Sequence, residues 1–551
     1  MKRLLTLVSS LLFILSLTLR AEAQSKNEKQ IYFDALQTTG TILSSVQRYF
    51  VDTIDLATVH ALGMNAMLSR LDPYTEYMPP KEAQTFREAT SGTYAGIGAL
   101  ISQRPDSTVV INEPFEGQPA QRAGVKPGDR ILRIDGKDYS HSSSADVSNA
   151  LRGKEGTEIH LVVQRFSEPS PREFRFLRQK ISLNSVAYEG RISGDIGLIR
   201  LSQFTQDSGK DLRKAYETLT ASSPLKGLII DLRGNTGGVL QSALEIIGFF
   251  VEGGTEILSI KGRDTSSNDT YKTQGTPLAT DLPLAILIDN ESASASEIVA
   301  GALQDLDRAV IIGEKSYGKG LVQSTIQTPG NGLLKLTTAR YYIPSGRCIQ
   351  KIAYNHLGSR SEIASKDSLG TAFTTRGGRT VYDAGGIMPD IKSVADTMAS
   401  MLMYMSLDTL VFDYITRYDM AHPTLDLPNA FHMSDGEYQE FITYLSDHKF
   451  TYTPRSIQYL NQLKEIIGYE QVPQDAAPEL EALKKVLQPD IKRDGIRFKR
   501  DIKEYLEAQI MLRRYHRRGY FGFIMPNDKQ VKVAQDLLQN PSRYKEILTK
   551  K

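Results

Sequence analysis

Apolar residues first recur at helical spacing. Over residues 24–87 they fall three and four apart, through Ile31, Leu36, Ile42, Val46 and Phe50, then through Leu56, Leu62, Met67 and Leu71. This predicts amphipathic helices, broken at Leu71-Asp72-Pro73 and at Pro79-Pro80. From about residue 92 to 165 the texture changes to short β runs at 109–111, 131–134 and 159–163. Pro127-Gly128-Asp129 and Asp135-Gly136 mark turns between them, and one helical stretch spans 144–152. Between about 182 and 393, apolar strands at 196–201, 227–232, 284–288 and 309–312 alternate with helical segments at 207–219, 238–251 and 297–306. Strands apolar on both faces need cover on both, so this region is predicted to be an α/β layer. From about Val394 onward the pattern is helical again. The expected divisions are 1–23, 24–88, 89–166, 167–395 and 396–551. They make an α/β multidomain chain with an inserted β-rich module, a helical N-terminal region and a helical C-terminal extension.

Composition narrows the function classes. With 551 residues, 40% apolar and 24% charged, the chain is neither disordered, collagen-like nor a polytopic membrane protein. Met1-Lys2-Arg3, an uncharged apolar run over 4–19 and Ala21-Glu22-Ala23 form an export signal with a mature start at Gln24. The run is shorter than the ~20 residues a spanning helix prefers, so no membrane span is expected after cleavage. Left uncleaved, it would tether the chain to a membrane. Removal takes away Lys2, Arg3, Arg20 and Glu22, so the +2 of the full chain becomes zero, which argues against nucleic acid as a partner. A basic run at 491–520 fits a solvated helix face better, because Ile502, Leu506, Ile510 and Arg513 sit at helical spacing. Cys348 is the single cysteine, which excludes an intrachain disulfide and a multi-cysteine zinc site. No metal and no cofactor are expected. Export to a bacterial periplasm is.

The β-rich module resembles a PDZ domain. The resemblance rests on Gly96-Ile97-Gly98-Ala99 before the strand start at Leu100, and on Ala123-Gly124-Val125-Lys126-Pro127-Gly128-Asp129 followed by Ile134-Asp135-Gly136. It implies that the Gly96–Ala99 amides receive a terminal carboxylate and that Leu100 opens a strand edge to which a peptide adds. Val147 and Leu151 are expected to line the other side of the groove.

Candidate chemistry concentrates at 286–323. After the strand 284–288 comes Ser292-Ala293-Ser294-Ala295-Ser296-Glu297, and Ser294 with Glu297 three residues on is a capping box. A serine on a strand-to-helix elbow is exposed, and helical N–H groups there favour a developing oxyanion. A plain capping serine would use the same residues. The second motif is Gly318-Lys319-Gly320-Leu321-Val322-Gln323. A free lysine titrates near 10.4 and a general base near 7–8, a shift that burial supplies. Gln323 can hold the amine by a neutral hydrogen bond without raising its pKa.

Together these motifs resemble the C-terminal processing peptidases, or tail-specific proteases, over about residues 30–395. That family uses a Ser/Lys dyad, and its 25-residue spacing from nucleophile to lysine selects Ser294 with Lys319, assisted by Gln323. Asp231-Leu232-Arg233-Gly234-Asn235-Thr236-Gly237-Gly238 matches the family's oxyanion stretch, with Thr236 where the family often has Pro. The resemblance implies that Gly237 or Gly238 shares the oxyanion with the Ala295 amide. Leu71-Asp72-Pro73-Tyr74 and Gly385-Gly386-Ile387-Met388-Pro389-Asp390 are further marks. The expected partners are proteins or peptides with free C-termini, and the helical regions would carry any homo-oligomer or adaptor contact. The alternative is a catalytically silent PDZ scaffold, against which Ser294, Lys319 and Gln323 all stand intact. Gly313-x-x-x-x-Gly318-Lys319 mimics a phosphate-binding loop, but residue 320 is Gly, not the Ser or Thr that magnesium needs. A Ser/His/Asp triad is disfavoured because all eight histidines lie outside 161–355.

Overall fold

The computed structural model describes residues 27, 29–166, 168–355, 359–362, 370–383, 385–424, 431–470 and 477–549; the expected signal at 1–23 lies outside the described residues. The chain forms two compact units. The smaller comprises the described residues up to Gln84, with Gln323–Thr337 and those of Tyr354–Arg360. In it the helix Leu56–Leu68 starts at Asp55, whose carboxylate accepts from the Ala57 N–H at 3.0 Å. The helix breaks where Asp72 accepts from the Tyr74 and Thr75 amides, both at 2.7 Å. The strand Glu76–Met78 then runs antiparallel to residues 333–335.

The larger unit is built on a six-stranded sheet ordered Val186–Ile192, Ile196–Leu201, Gly227–Asp231, Leu284–Ile288, Val310–Gly313 and Ile391–Lys392. All pairs but the first are parallel, with Leu198 opposite Ile229 and Ile286 opposite both Ile230 and Ile311. The parallel ends of the strands therefore fall together, and the helix Ala295–Asp305 starts just beyond one of them. The helices Ser208–Thr220, Leu240–Gly248 and Ala295–Asp305 bury Leu212, Ile246, Ile247 and Val299 against one sheet face.

The far end of the chain covers the other face. Met525, Val531, Ala534, Leu537, Leu538 and Tyr544 pack on Ile196, Leu198, Ile229, Ala285, Leu287, Val310 and Ile312. The Tyr544 hydroxyl also bonds Leu284, accepting from its N–H at 2.9 Å and donating to its carbonyl at 3.1 Å. Burial of each large aliphatic side chain contributes about 1.5–3 kcal/mol, whereas a whole domain is stable by only about 5–15 kcal/mol. Deletion of residues 525–551 is therefore expected to make the layered α/β region insoluble, as checked by soluble yield and circular dichroism.

The β-rich module is a sheet ordered Ala99–Gln103, Val109–Pro114, Arg130–Ile134, Glu158–Gln164 and Arg172–Leu177. Its last strand lies beyond the expected boundary at 166. Residues 168–171 lie in a connection within the sheet, and Glu158–Gln164 pairs with Arg172–Leu177. A further pair, Thr93–Gly96 with Gln179–Ser182, closes the module near residue 182.

The remaining helices form a separate core around Met401, Ile415, Phe441, Leu445, Ile502, Leu506 and Ile510. The basic run spans the helices Ile491–Arg497 and Lys499–Ile524, the second of which buries Ile502, Leu506 and Ile510 in this core. The PDZ-like sheet is held to these helices by Arg104, which forks onto Asp413 with Nη1–Oδ2 at 2.8 Å. Arg513 adds a donation to the Pro127 carbonyl at 2.9 Å.

Candidate active site

Ser294 is the N-cap of the helix Ala295–Asp305, on the connection that leaves the strand Leu284–Ile288. Its backbone sits at φ 56° and ψ −113°, a sparsely populated conformation for a residue with a Cβ. Such an elbow costs about 1–3 kcal/mol and lasts only where its surroundings hold it. Here Glu297 holds it. The Ser294 N–H donates to Glu297 Oε2 at 2.9 Å, the return half of the capping box expected from the sequence.

Glu297 does more than cap. It is fully buried, and it accepts from the Ser316 hydroxyl at 2.5 Å and the Gly318 N–H at 2.7 Å on Oε1, and from the Lys319 N–H at 2.9 Å on Oε2. One carboxylate oxygen therefore holds the backbones of Ser294 and Lys319 together. Burial pushes its pKa up to about 7, and the bonds from Ser316, Lys319, Gly318 and Ser294 only partly offset that rise. The sequence supplies this residue as a cap. Its reach to the lysine loop comes only from the tertiary fold, and no local pattern signals it.

The loop around Lys319 is fixed on other sides as well. Tyr317 N–H donates to the Ser292 carbonyl at 3.0 Å, and Lys351 N–H to that of Gly318 at 3.0 Å. Gly320 N–H donates to Gln350 Oε1 at 2.7 Å, and the Tyr341 hydroxyl donates to the Lys319 carbonyl. A Cβ at Gly320 would lie 2.8 Å from the Gln350 nitrogen, so glycine lets these backbones meet. Gln323 stands on the strand Leu321–Gln327 and donates through Nε2 to Thr337 Oγ1 at 3.2 Å.

The glycine stretch abuts Ser294. Gly237, at φ +96°, is so close that a Cβ there would lie 2.8 Å from Ser294 Cβ and 2.9 Å from the Ala295 nitrogen. Asn235 sets the approach: its carbonyl accepts from Ala293 N–H at 3.1 Å and from Ser296 Oγ at 2.8 Å. Its side-chain oxygen accepts from Gly237 N–H at 2.9 Å. At the start of the stretch, buried Asp231 accepts from Arg200 Nη1 at 2.5 Å and Arg233 Nη2 at 2.8 Å. Burial works against the Asp231 charge, but Arg233 and Arg200 outweigh it and hold the carboxyl below its ordinary pKa. Arg233 also reaches Asp528, at 3.0 and 2.9 Å, and Gln530, at 2.8 Å, in the last part of the chain.

In the PDZ-like module Gly96 ends a strand and Gly98 turns at φ +72°; Ala99 and Leu100 then begin the outermost strand of the sheet, with Leu100 exposed. The helix Ser144–Leu151 lies beside this strand, tied to it where Ser144 N–H donates to Gln103 Oε1 at 3.0 Å. Ile97, Val147 and Leu151 are buried in the module's core, so Ala99 and Leu100 are the more accessible of the residues assigned to the groove.

Comparison with known proteins identifies the family and two of the modules. A family model described as "Peptidase family S41" matches residues 195–356, one described as "PDZ domain" matches 110–165, and one described as "Probable PDZ-protease, C-terminal helical domain" matches 401–538. The carboxy-terminal-processing protease of Bartonella bacilliformis is 37% identical over 354 residues, 64% of this chain and 81% of that protein. A probable CtpA-like serine protease of Staphylococcus aureus is 36% identical over 293 residues, 52% of this chain and 57% of that protein. Among solved structures, a photosystem II D1 C-terminal processing protease is 25% identical, with a TM-score of 0.33, over 64% of this chain and 86% of that one.

Proposed function

The chain belongs to peptidase family S41, and from that premise we propose an exported endopeptidase that uses Ser294 as nucleophile, Lys319 as base and Gln323 as the lysine's partner. The observation that carries this reading is the shared Glu297 oxygen, which accepts from Ser294 N–H and Lys319 N–H, each at 2.9 Å. A hydroxyl and an amine on backbones tied so closely can exchange a proton without a long search. Neutral Lys319 takes the Ser294 proton as Oγ attacks the scissile carbonyl. The oxyanion forms beside the Ala295 amide and the glycine stretch. Gly237 N–H already donates to Asn235, which favours Gly238 as the second donor. The lysine ammonium then protonates the leaving amine, and the acyl-enzyme is hydrolysed by water with Lys319 again as base.

Digestion of a model protein with an unfolded apolar tail, with and without a fluorophosphonate probe, tests the assignment. Cleavage blocked by the probe, with the label on Ser294, is expected. Tail binding with neither cleavage nor label would instead make the chain a silent PDZ scaffold.

Substrate capture falls to the PDZ domain, whose Gly96–Ala99 turn and open strand edge suit a terminal carboxylate and an added strand. Charge-assisted hydrogen bonds contribute about 1.5–3 kcal/mol. A peptide with a free apolar C-terminus should therefore bind roughly tenfold or more tightly than its amide, as read by fluorescence anisotropy with the Ser294→Ala protein. Equal affinities would remove the carboxylate-capture role.

A further inference from the structure

We infer that Asp528, almost three hundred positions beyond the glycine stretch, is a positioning residue that holds the oxyanion loop through Arg233. The inference rests on the peptidase reading of Ser294 given above. Arg233 opens the loop that ends at Gly238, and its guanidinium is gripped at both ends. Asp231 takes Nε at 2.9 Å and Nη2 at 2.8 Å. Asp528 takes Nη1 with both oxygens, at 3.0 and 2.9 Å, and Gln530 Oε1 takes the same nitrogen at 2.8 Å.

The cluster is balanced, with Asp231 and Asp528 facing Arg200 and Arg233. Loss of Asp528 leaves surplus positive charge on an arginine side chain that is only 11% exposed, where water replaces the partner poorly. The strain then has a short path to the site. Arg233 N–H is bonded to Asp231 at 3.0 Å, Gly234 N–H to Asp289 at 3.0 Å, and Asn235 to the residues flanking Ser294. Asp528 itself is placed by the fold of the chain's end. It caps the helix Lys529–Leu538, accepting from Val531 N–H at 2.9 Å, and that helix packs Val531, Ala534 and Leu537 onto the catalytic sheet. The last helices therefore do not merely cover the sheet. They set the arginine of the oxyanion loop.

Asp528→Asn tests this cleanly, because Asn caps a helix as well as Asp does and only the charge and one acceptor are lost. We expect kcat on a tail peptide to fall about tenfold or more with KM little changed, as when a transition-state contact is displaced. In the full-length protein without substrate, amide hydrogen exchange should rise at 233–238 and stay unchanged over 284–288. Asp528→Glu, which keeps a carboxylate for the same Arg233 nitrogen, should retain most of kcat. Should Asp528→Asn not fold, Asp528→Ser, also a capping residue, carries the same comparison. Wild-type kcat and unchanged exchange at 233–238 in a folded variant would overturn the inference. So would exchange rising equally at 227–231 and 284–288, which would make Asp528 a general staple of the sheet. Persistent cleavage by Ser294→Ala would sink the peptidase reading alone, since the exchange measurement needs no substrate and still decides the role of Asp528.

Discussion

Ser294→Ala and Lys319→Ala should each give a folded protein whose kcat is lower by about 10⁴ or more. The two side chains act on one proton, so the double variant should be no slower than either single one. Neither substitution removes a core packing group. Ser294 and Lys319 are only partly buried, and the bonds that fix their backbones to Glu297 are made by N–H groups that alanine retains. Melting temperatures should therefore stay within a few degrees of the parent protein, while a fluorogenic tail peptide is left uncut. Multiplicative losses in the double variant would mean that the two residues serve separate steps.

Glu297→Gln should cost about 10² or more in kcat, although Glu297 touches no substrate in this scheme. Each of its oxygens takes two donors: Ser316 Oγ and Gly318 N–H on one, Ser294 N–H and Lys319 N–H on the other. An amide nitrogen on either side leaves two buried donors facing a third, at about 1–3 kcal/mol for each orphaned group. The same substitution has a signature in stability against pH. The pKa of Glu297, pushed up to about 7 by burial, lies above its ordinary value of 4.5. The folded protein therefore holds a proton that the unfolded chain releases between those values. The stability this contributes is complete below about 4.5 and is lost as pH rises through about 7, a decline on the order of 3 kcal/mol. Melting curves at pH 5.5 and 8.5 should show about 2 kcal/mol of that decline in the parent and none of it in the Gln variant. Parallel pH trends in the two proteins would mean that Glu297 is ionised throughout.

Much of this architecture is legible from local pattern. Leu284–Ile288 is wholly apolar and too short for a helix, so it reads as a buried strand, and it is one. The helix after Ser294 is announced by its own cap, and the alternation of strands and helices from 196 onward predicts the layered core before any coordinates. These features depend on residues within a few positions of one another, which is the range over which periodicity and capping act. What lies beyond that range needed the tertiary structure. Arg172-Glu-Phe-Arg-Phe-Leu carries a short strand alternation in Phe174 and Phe176, but that it belongs to the PDZ sheet is decided by the edge that Glu158–Gln164 offers it. Glu297 is a cap by sequence, and a clasp on Lys319 only because the loop at 316–319 folds back over the helix start. Arg233 and Asp528 meet across 295 positions, as the final helices dock on a sheet whose second face has to be covered. The sequence alone determined which residues could do chemistry and which segments would be strand or helix, because those choices are local. Packing decided which distant groups hold the reactive ones in place, because a buried charge or an apolar face takes whatever partner the closed chain brings to it.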